Sequence, residues 1–279
     1  MPVNDELGRR MKDFYETIPK TKLMRRTPVA IRIDGKAFHT FTREMKRPFD
    51  DILIETMQQT MKCLCENIQG CVLGYTQSDE ITLILIDYQK LTSCAWFDYE
   101  VQKICSIAAS MATMAFNKYF TDSVAEYYYG IWDDVTEDWS APEEEIKYCK
   151  ILIDAGDRGA MFDARCFNIP KEEVANLIYW RQLDATRNSI QMVGQANFSQ
   201  KELHGKSCNK IQDMLMLEKN INWNDFPTYQ KRGSCAIKQI KDISNGEGDY
   251  RTEWIIDKDI PIFKGEDRKY IEDLIYVGE

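Results

Sequence analysis

Residues 71–75, CVLGY, and 81–86, ITLILI, are two β-prone runs separated only by the polar stretch TQSDE. A link that short permits an antiparallel hairpin with a polar tip and little else. Two strands alone are marginal in water, so a hairpin this apolar has to lie inside a larger sheet. The flanking segments supply one. PVAIRI (28–33) reads as a strand rich in β-branched residues. Pro48 with Asp50 and Asp51 opens a helix to about Asn67, its apolar positions at Ile52, Ile54, Met57, Met61 and Leu64. YEVQKICSIAASMATMAFNKYF is a long amphipathic helix, and AMFDARCFNI (160–169) is a further strand. The order β-α-β-β-α-β predicts an α+β fold of the ferredoxin-like kind. In that plan the first strand lies between the fourth and the third, so Asp34 at its exit meets Asp79 and Glu80 at the entry of the third.

Around this unit, DELGRRMKDFYET reads as an N-terminal helix with Leu7, Met11, Phe14 and Tyr15 on one face. Beyond Pro170 the pattern is helical through KEEVANLIYWRQLDATRNSIQ, with a shorter helix near 207–218 and strand-like SCAIKQI and YRTEWIID. Two domains are expected: 1–169, carrying the N-terminal helix and an acidic insertion at 122–145, and an annex of helices and short strands at 170–279.

Charge and rare residues narrow the chemistry. The net charge of −9 speaks against a nucleic-acid partner, yet residues 122–145 alone hold nine acids and no Lys or Arg, so the rest sums to zero. Basic clusters then stand out at Lys20/Lys22/Arg25/Arg26, Arg43/Lys46/Arg47, Lys201/Lys206/Lys210 and Lys231/Arg232, either solvated charges or a face for phosphates. The insertion itself reads as a solvated connector or a partner-binding element. The nine cysteines, scattered through apolar segments, read as reduced and mostly buried thiols. With His39 and His204 the only histidines, a His-based metal site or a Ser-His-Asp triad has almost no material. No signal-peptide core and no run of about 18 apolar residues is present, so a cytoplasmic protein without a membrane partner is expected.

The stretch IRIDGKAFH (31–39) raises the chemical question. Asp34-Gly35 by itself is a common turn, and Ser78-Asp79-Glu80 by itself is a solvated hairpin tip. Brought together, their carboxylates suit Mg2+, which is commonly held by one or two carboxylates plus substrate phosphates. Two such ions about 3.5–4 Å apart can stabilise the attacking and leaving oxygens of a phosphoryl displacement. Gly35 would let backbone approach a metal and a phosphate chain, and Lys36, Arg43, Lys46 and Arg47 would neutralise developing charge. ELHGKS (202–207) fails as a phosphate-binding loop, because Gln200 stands where the motif needs glycine.

These residues resemble a known family. IRIDGKAFHTF with GYTQSDEITLIL is similar to the paired motifs of the tRNA-His guanylyltransferase superfamily, and FDARCFNIP, NLIYWRQLDATRNSI and DIPIFKGED extend the likeness from about residue 5 to 264. The resemblance implies a palm-like domain, two Mg2+ ions, ATP and GTP as substrates, and a homotetramer that takes the 5′ end and acceptor stem of tRNA. It implies that a 5′-monophosphate is activated with a nucleoside triphosphate. The 3′-hydroxyl of an incoming nucleotide then attacks that end, so growth runs 3′ to 5′. Carried over by position, Asp34, Asp79 and Glu80 are the catalytic carboxylates, and Asp34, the Gly35 carbonyl and Asp79 hold metal. Asp34, Gly35, Lys36, Ala37, Phe38, His39, Arg47, Ser78 and Asp79 cradle the nucleotide. Candidate tRNA contacts are Arg181, Arg187, Asn188, Lys206, Lys210, Lys231 and Arg232. Where guanylyltransferases carry H-I-N-N-L-Y, this chain has Thr186 to Gln191 with only Asn188 matching, which favours the "like" branch and templated repair of 5′-truncated tRNA. A nucleotide cyclase or dinucleotide synthase, or a non-catalytic tRNA-binding module, are the competing readings.

Overall fold

The computed structural model describes residues 5–133, 136, 138–242 and 250–278. The Asp5 carboxylate caps α1 (Glu6–Met11) by accepting from the Gly8 N–H at 2.7 Å. The apolar positions Leu7, Met11, Phe14 and Tyr15 are all exposed. β1 (Val29–Gly35) leads into the short α2 (Phe38–Phe41). α3 (Asp51–Asn67) opens where Asp50 accepts from the Leu53 N–H at 3.0 Å, and Met57, Met61 and Leu64 line its buried side. β2 (Cys71–Gln77) and β3 (Glu80–Leu85) form the hairpin. Its turn is only Ser78-Asp79, shorter than the five-residue link expected, because Gln77 pairs with Glu80 and Ser78 takes a positive φ of 51°.

α4 (Val101–Ile131) runs into the acidic stretch, and a two-stranded ribbon of β4 (Trp132–Asp133) and β5 (Asp138–Trp139) follows. α5 (Glu143–Arg158) then begins with Glu143, Glu144 and Glu145 in its first turn, where the helix dipole favours negative charge. The insertion at 122–145 is therefore the end of one helix, a ribbon and the start of another; Asp134, Val135 and Glu137 lie outside the described residues. The remaining elements are β6 (Phe162–Asn168), α6 (Lys171–Asn197), α7 (Gln200–Leu203), α8 (Cys208–Lys219), α9 (Thr228–Arg232), β7 (Ser234–Asp242), β8 (Tyr250–Asp257) and α10 (Lys269–Ile275).

One sheet of six antiparallel strands runs β6-β1-β3-β2-β7-β8. The strands beyond residue 170 continue this sheet instead of packing on it. The junction depends on Gly233, whose φ is 83° and where a Cβ would stand 2.4 Å from the Thr76 carbonyl oxygen. Alternation along the strands splits the core. Val29, Ile31, Ile33, Ile81 and Leu83 face α3 and α4, whereas Ala30, Ile84 and Cys235 face α6 and α10. Both faces are covered, which explains why β2 is buried along its whole length. A third cluster, with Ile190, Val193, Phe198, Ile211 and Trp223, ties α6 to α8. The nine cysteines are all free thiols, four of them buried, four half-buried and Cys94 exposed. Among the described residues no helix is long and apolar enough to cross a membrane.

Candidate active site

The register sets the chemistry. Asp34 on β1 lies opposite Glu80 on β3 and opposite Asp163 on β6, so three carboxylates stand in one row across three strands. The next row carries Arg32 and Arg165 side by side. At the strand ends the Gly35 N–H donates to the Asp79 carbonyl at 3.1 Å, which ties the exit of β1 to the hairpin turn. The Ser78 hydroxyl donates to Asp79 Oδ1 at 3.0 Å.

This crowding of negative charge shows in the proton affinities. Burial holds the Asp34 carboxyl above the ordinary range, and Glu80 and Asp163 push it the same way against Arg165 and Arg32. Burial likewise raises Asp79; the Ser78 hydroxyl works against that, and the charges of Asp34 and Glu80 add to it. Among the described residues no three His, Cys, Asp or Glu side chains converge into a closed metal cage. The Asp34 and Asp79 carboxylates and the Gly35 carbonyl are oxygen donors of the kind that would suit a hard cation completing its shell with water and phosphate oxygens.

Glu80 adjoins the two aspartates, and its oxygens accept from Arg32 at 3.1 Å, from Gln77 at 3.2 Å and from Arg181, so it anchors arginines beside them. Arg181 is itself buried between Glu80 and Asp184, with its guanidinium 4.6 Å from the Trp180 ring centre.

Beside the carboxylates opens a cleft of about 500 Å³. Of the expected cradle, Gly35, Ala37, Phe38, His39, Arg47, Ser78 and Asp79 line it, whereas Asp34 and Lys36 are not among its walls. The turn is built from below. Ala37 is left-handed at φ 53°, and Phe38 is turned inward against Phe41, Phe116 and Phe162 with ring centres 5.2–5.4 Å apart. Burying such a ring stabilises by roughly 1.5–3 kcal/mol. A Cβ on Gly35 would stand 2.2 Å from that ring, so glycine is required by the floor of the turn as well as by any ligand above it. Phe38 therefore offers the cleft its backbone, its ring being 5% exposed.

Sequence reasoning missed Thr42, Met45, Leu53, Met192 and Gln195 as cleft residues. The last two carried a legible signal, since Arg181, Asp184, Asn188, Met192 and Gln195 follow three- and four-residue spacing along α6. Lys46, expected with Arg47 to neutralise phosphate charge, also lines the cleft, its ammonium 4.2 Å from the Tyr148 ring centre.

The expected tRNA contacts divide. Lys206 on the α7–α8 turn and Lys210 in the first turn of α8 are exposed. Arg187 is exposed but paired with Asp184, and Asn188 reaches the same carboxylate at 3.4 Å. Arg232 is half-buried, 6.0 Å from the Trp223 ring centre. Arg181 and Lys231 are withdrawn from any RNA surface: the first is locked into its ion pairs, and the Lys231 ammonium donates to the Asn224 carbonyl at 2.5 Å beneath a surface that leaves it 8% exposed. Of the N-terminal cluster, Arg25 pairs with Asp87 at 2.6 Å and Lys22 with Asp98, so that charge is met within the chain.

Comparison with known proteins gives consistent matches. Residues 8–170 match the family model described as Thg1, tRNAHis guanylyltransferase. The chain is 30% identical over 258 residues to the uncharacterised protein R259 of Acanthamoeba polyphaga mimivirus, covering 87% of this chain and 80% of that one. It is 26% identical to a probable tRNA(His) guanylyltransferase of Dictyostelium discoideum, covering 81% and 80%. Among solved structures, a bacterial Thg1-like protein in complex with ATP superimposes with a TM-score of 0.78 at 40% identity, over 98% of this chain and 100% of that one. A bacterial Thg1-like protein in complex with GTP gives 0.74 at 38% identity over the same shares.

Proposed function

This chain belongs to the Thg1 family of tRNAHis guanylyltransferases, and from that premise we propose that it is a tRNA nucleotidyltransferase that extends RNA at its 5′ end, in the 3′-to-5′ direction. The observation that carries this is the cleft at the β1 and β2–β3 strand ends, with Asp79 and Gly35, the neighbour of Asp34, on its walls together with Arg47, Lys46 and His39. ATP or GTP seats its triphosphate there, against the Gly35–His39 backbone and Ser78. The sheet acts as a palm, with β1 and the hairpin presenting the carboxylates. Asp34, Asp79 and the Gly35 carbonyl would hold Mg2+, which would supply charge neutralisation at the phosphates and activation of the attacking hydroxyl. The chain's own part is to fix the two nucleotides in line and to surround the phosphates with positive charge from Lys46 and Arg47. It works as a tetramer on cytoplasmic tRNA.

Repair of 5′-truncated tRNA is the form of the activity supported by two features. The segment Thr186–Gln191 lacks the guanylyltransferase H-I-N-N-L-Y sequence. The 40% and 38% identities to Thg1-like structures exceed the 26% to the Dictyostelium guanylyltransferase. The test offers full-length and 5′-truncated tRNAs, each labelled nucleotide and Mg2+, and sequences the new 5′ ends. Complement-dependent addition to many truncated tRNAs is expected. Addition of G to tRNAHis alone, whatever base stands opposite, replaces repair by guanylylation, and no incorporation on any tRNA overturns the proposal.

A further inference from the structure

A second cavity, of about 470 Å³, opens next to the nucleotide cleft and is lined by Arg47, Gln195, Phe198, Gln200, Leu203 and His204. Arg47 and Gln195 line both, so the two spaces share a wall. Resting on the function proposed above, we propose that this second cavity seats the 5′-terminal nucleotide of the RNA, with its phosphate between Arg47 and His204.

The chemistry of the walls selects a phosphorylated nucleotide. Arg47 brings a permanent positive charge with a forked donor face suited to phosphate. His204 has an N–H to donate in either protonation state, and its side chain is exposed on the cavity side of α7. Gln195 and Gln200 supply amides able to donate and accept along a base or ribose edge. Phe198 and Leu203 give the apolar floor, held by the third core cluster, in which Phe198 is 8% exposed. The wall is rigid where it has to be. The His204 N–H donates to the Gln200 carbonyl at 3.0 Å, and Ser199 and Glu202 close a reciprocal cap at the start of α7.

Position separates the RNA terminus from a second free nucleotide. In the proposed reaction the RNA's 5′ end must lie within bonding reach of the nucleotide in the first cleft, and this cavity adjoins it through the shared Arg47 and Gln195. Lys201 on α7, Lys206 on the turn after it and Lys210 on α8 are exposed on the elements that follow this wall in the chain, and would be available to the next phosphates of a strand. The segment Glu202–Ser207, which fails as a phosphate loop by its glycine spacing, thus acquires a use through His204.

The test measures binding of an acceptor-stem RNA hairpin carrying a 5′-monophosphate, its 5′-hydroxyl twin, and free ATP and GTP, by the intact protein and by His204→Ala and His204→Arg. Loss of one charge-assisted contact predicts about tenfold weaker binding of the phosphorylated hairpin by His204→Ala, with the 5′-hydroxyl hairpin and both nucleotides unchanged. His204→Arg should recover the phosphorylated hairpin. Weakened ATP or GTP in place of the hairpin assigns the cavity to a free nucleotide and overturns the proposal, as does equal weakening of both hairpins or no change at all. Nucleotide addition by the unaltered protein, assayed in parallel, keeps the outcomes apart: addition that persists with His204→Ala indifferent sinks only this cavity's assignment, and no addition on any RNA sinks the function itself.

Discussion

Asp34 and Asp79 stand in a pocket of their own making, and their raised proton affinities have a consequence that can be measured without substrate. A carboxyl with a raised folded-state pKa binds its proton more tightly folded than unfolded, so stability is gained as pH falls through that raised value and lost as pH rises. In chelator, the protein should become less stable from mildly acidic to neutral pH, and Asp34→Asn or Asp79→Asn should flatten that slope and raise the neutral-pH melting temperature. Thermal melts between pH 4 and 7 decide it; variants that melt lower would show that the pair carries no such strain. The same Asp79→Asn change should lower nucleotide addition by at least about a hundredfold in a Mg2+ assay, the scale of losing one electrostatic contributor at a reacting centre. Gly35→Ala forces a methyl to within 2.2 Å of the Phe38 ring, so circular dichroism melts and activity should fall together. The acids at 34 and 79 were legible because chain order alone brings two strand ends together. The engagement of Glu80 was not, because its arginine partners lie 48 positions before it and 101 after it. The burial of Lys231 and the inward turn of the Phe38 ring were hidden for the same reason: type and neighbours in sequence do not say which side chains a fold turns inward.

At the scale of elements, α6 does more than support the sheet. Its residues run from the Arg181–Glu80 anchor to the Met192 and Gln195 walls, so the anchor sets where those walls stand. Replacing Arg181 by Met leaves Glu80 and Asp184 short of a buried partner and is expected to cost about 2–4 kcal/mol in denaturant unfolding. An unchanged midpoint would mean that Gln77, Arg32 and Arg187 suffice to hold those acids. Helix α6 was readable from its periodicity, and α3 from its Asp50 cap. α5 was overlooked although Tyr148, Cys149, Leu152 and Ala155 are buried at helical spacing. Its three opening glutamates merged with the acids before them into one apparent run, and charge density hid a helix start for which those glutamates are favourable.

For the molecule as a whole, net charge is a poor guide to partners. The total of −9 coexists with the lysine-rich α7–α8 turn, because the acids concentrate on the α4–α5 side. RNA affinity should therefore fall steeply with salt, and Lys206→Ala and Lys210→Ala should each lower the slope of log K against log salt by about one. Fluorescence anisotropy over a salt series measures this, and an unchanged slope removes these lysines from the interface. The order of the outer strands was beyond sequence reading, since alternation reveals that β7 and β8 are strands but not that β7 pairs with β2 across some 160 residues, Gly74 with Ala236. That pairing has a bearing on synthesis. A chain emerging from the ribosome completes the Ser78-Asp79 hairpin early, yet the β2 edge stays bare until Ser234 to Ala236 have been made. Bare edges of buried strands invite association between nascent chains. The sheet thus closes near the end of translation, and a fragment ending at Gly233 is expected to be insoluble when expressed and to sediment with aggregates.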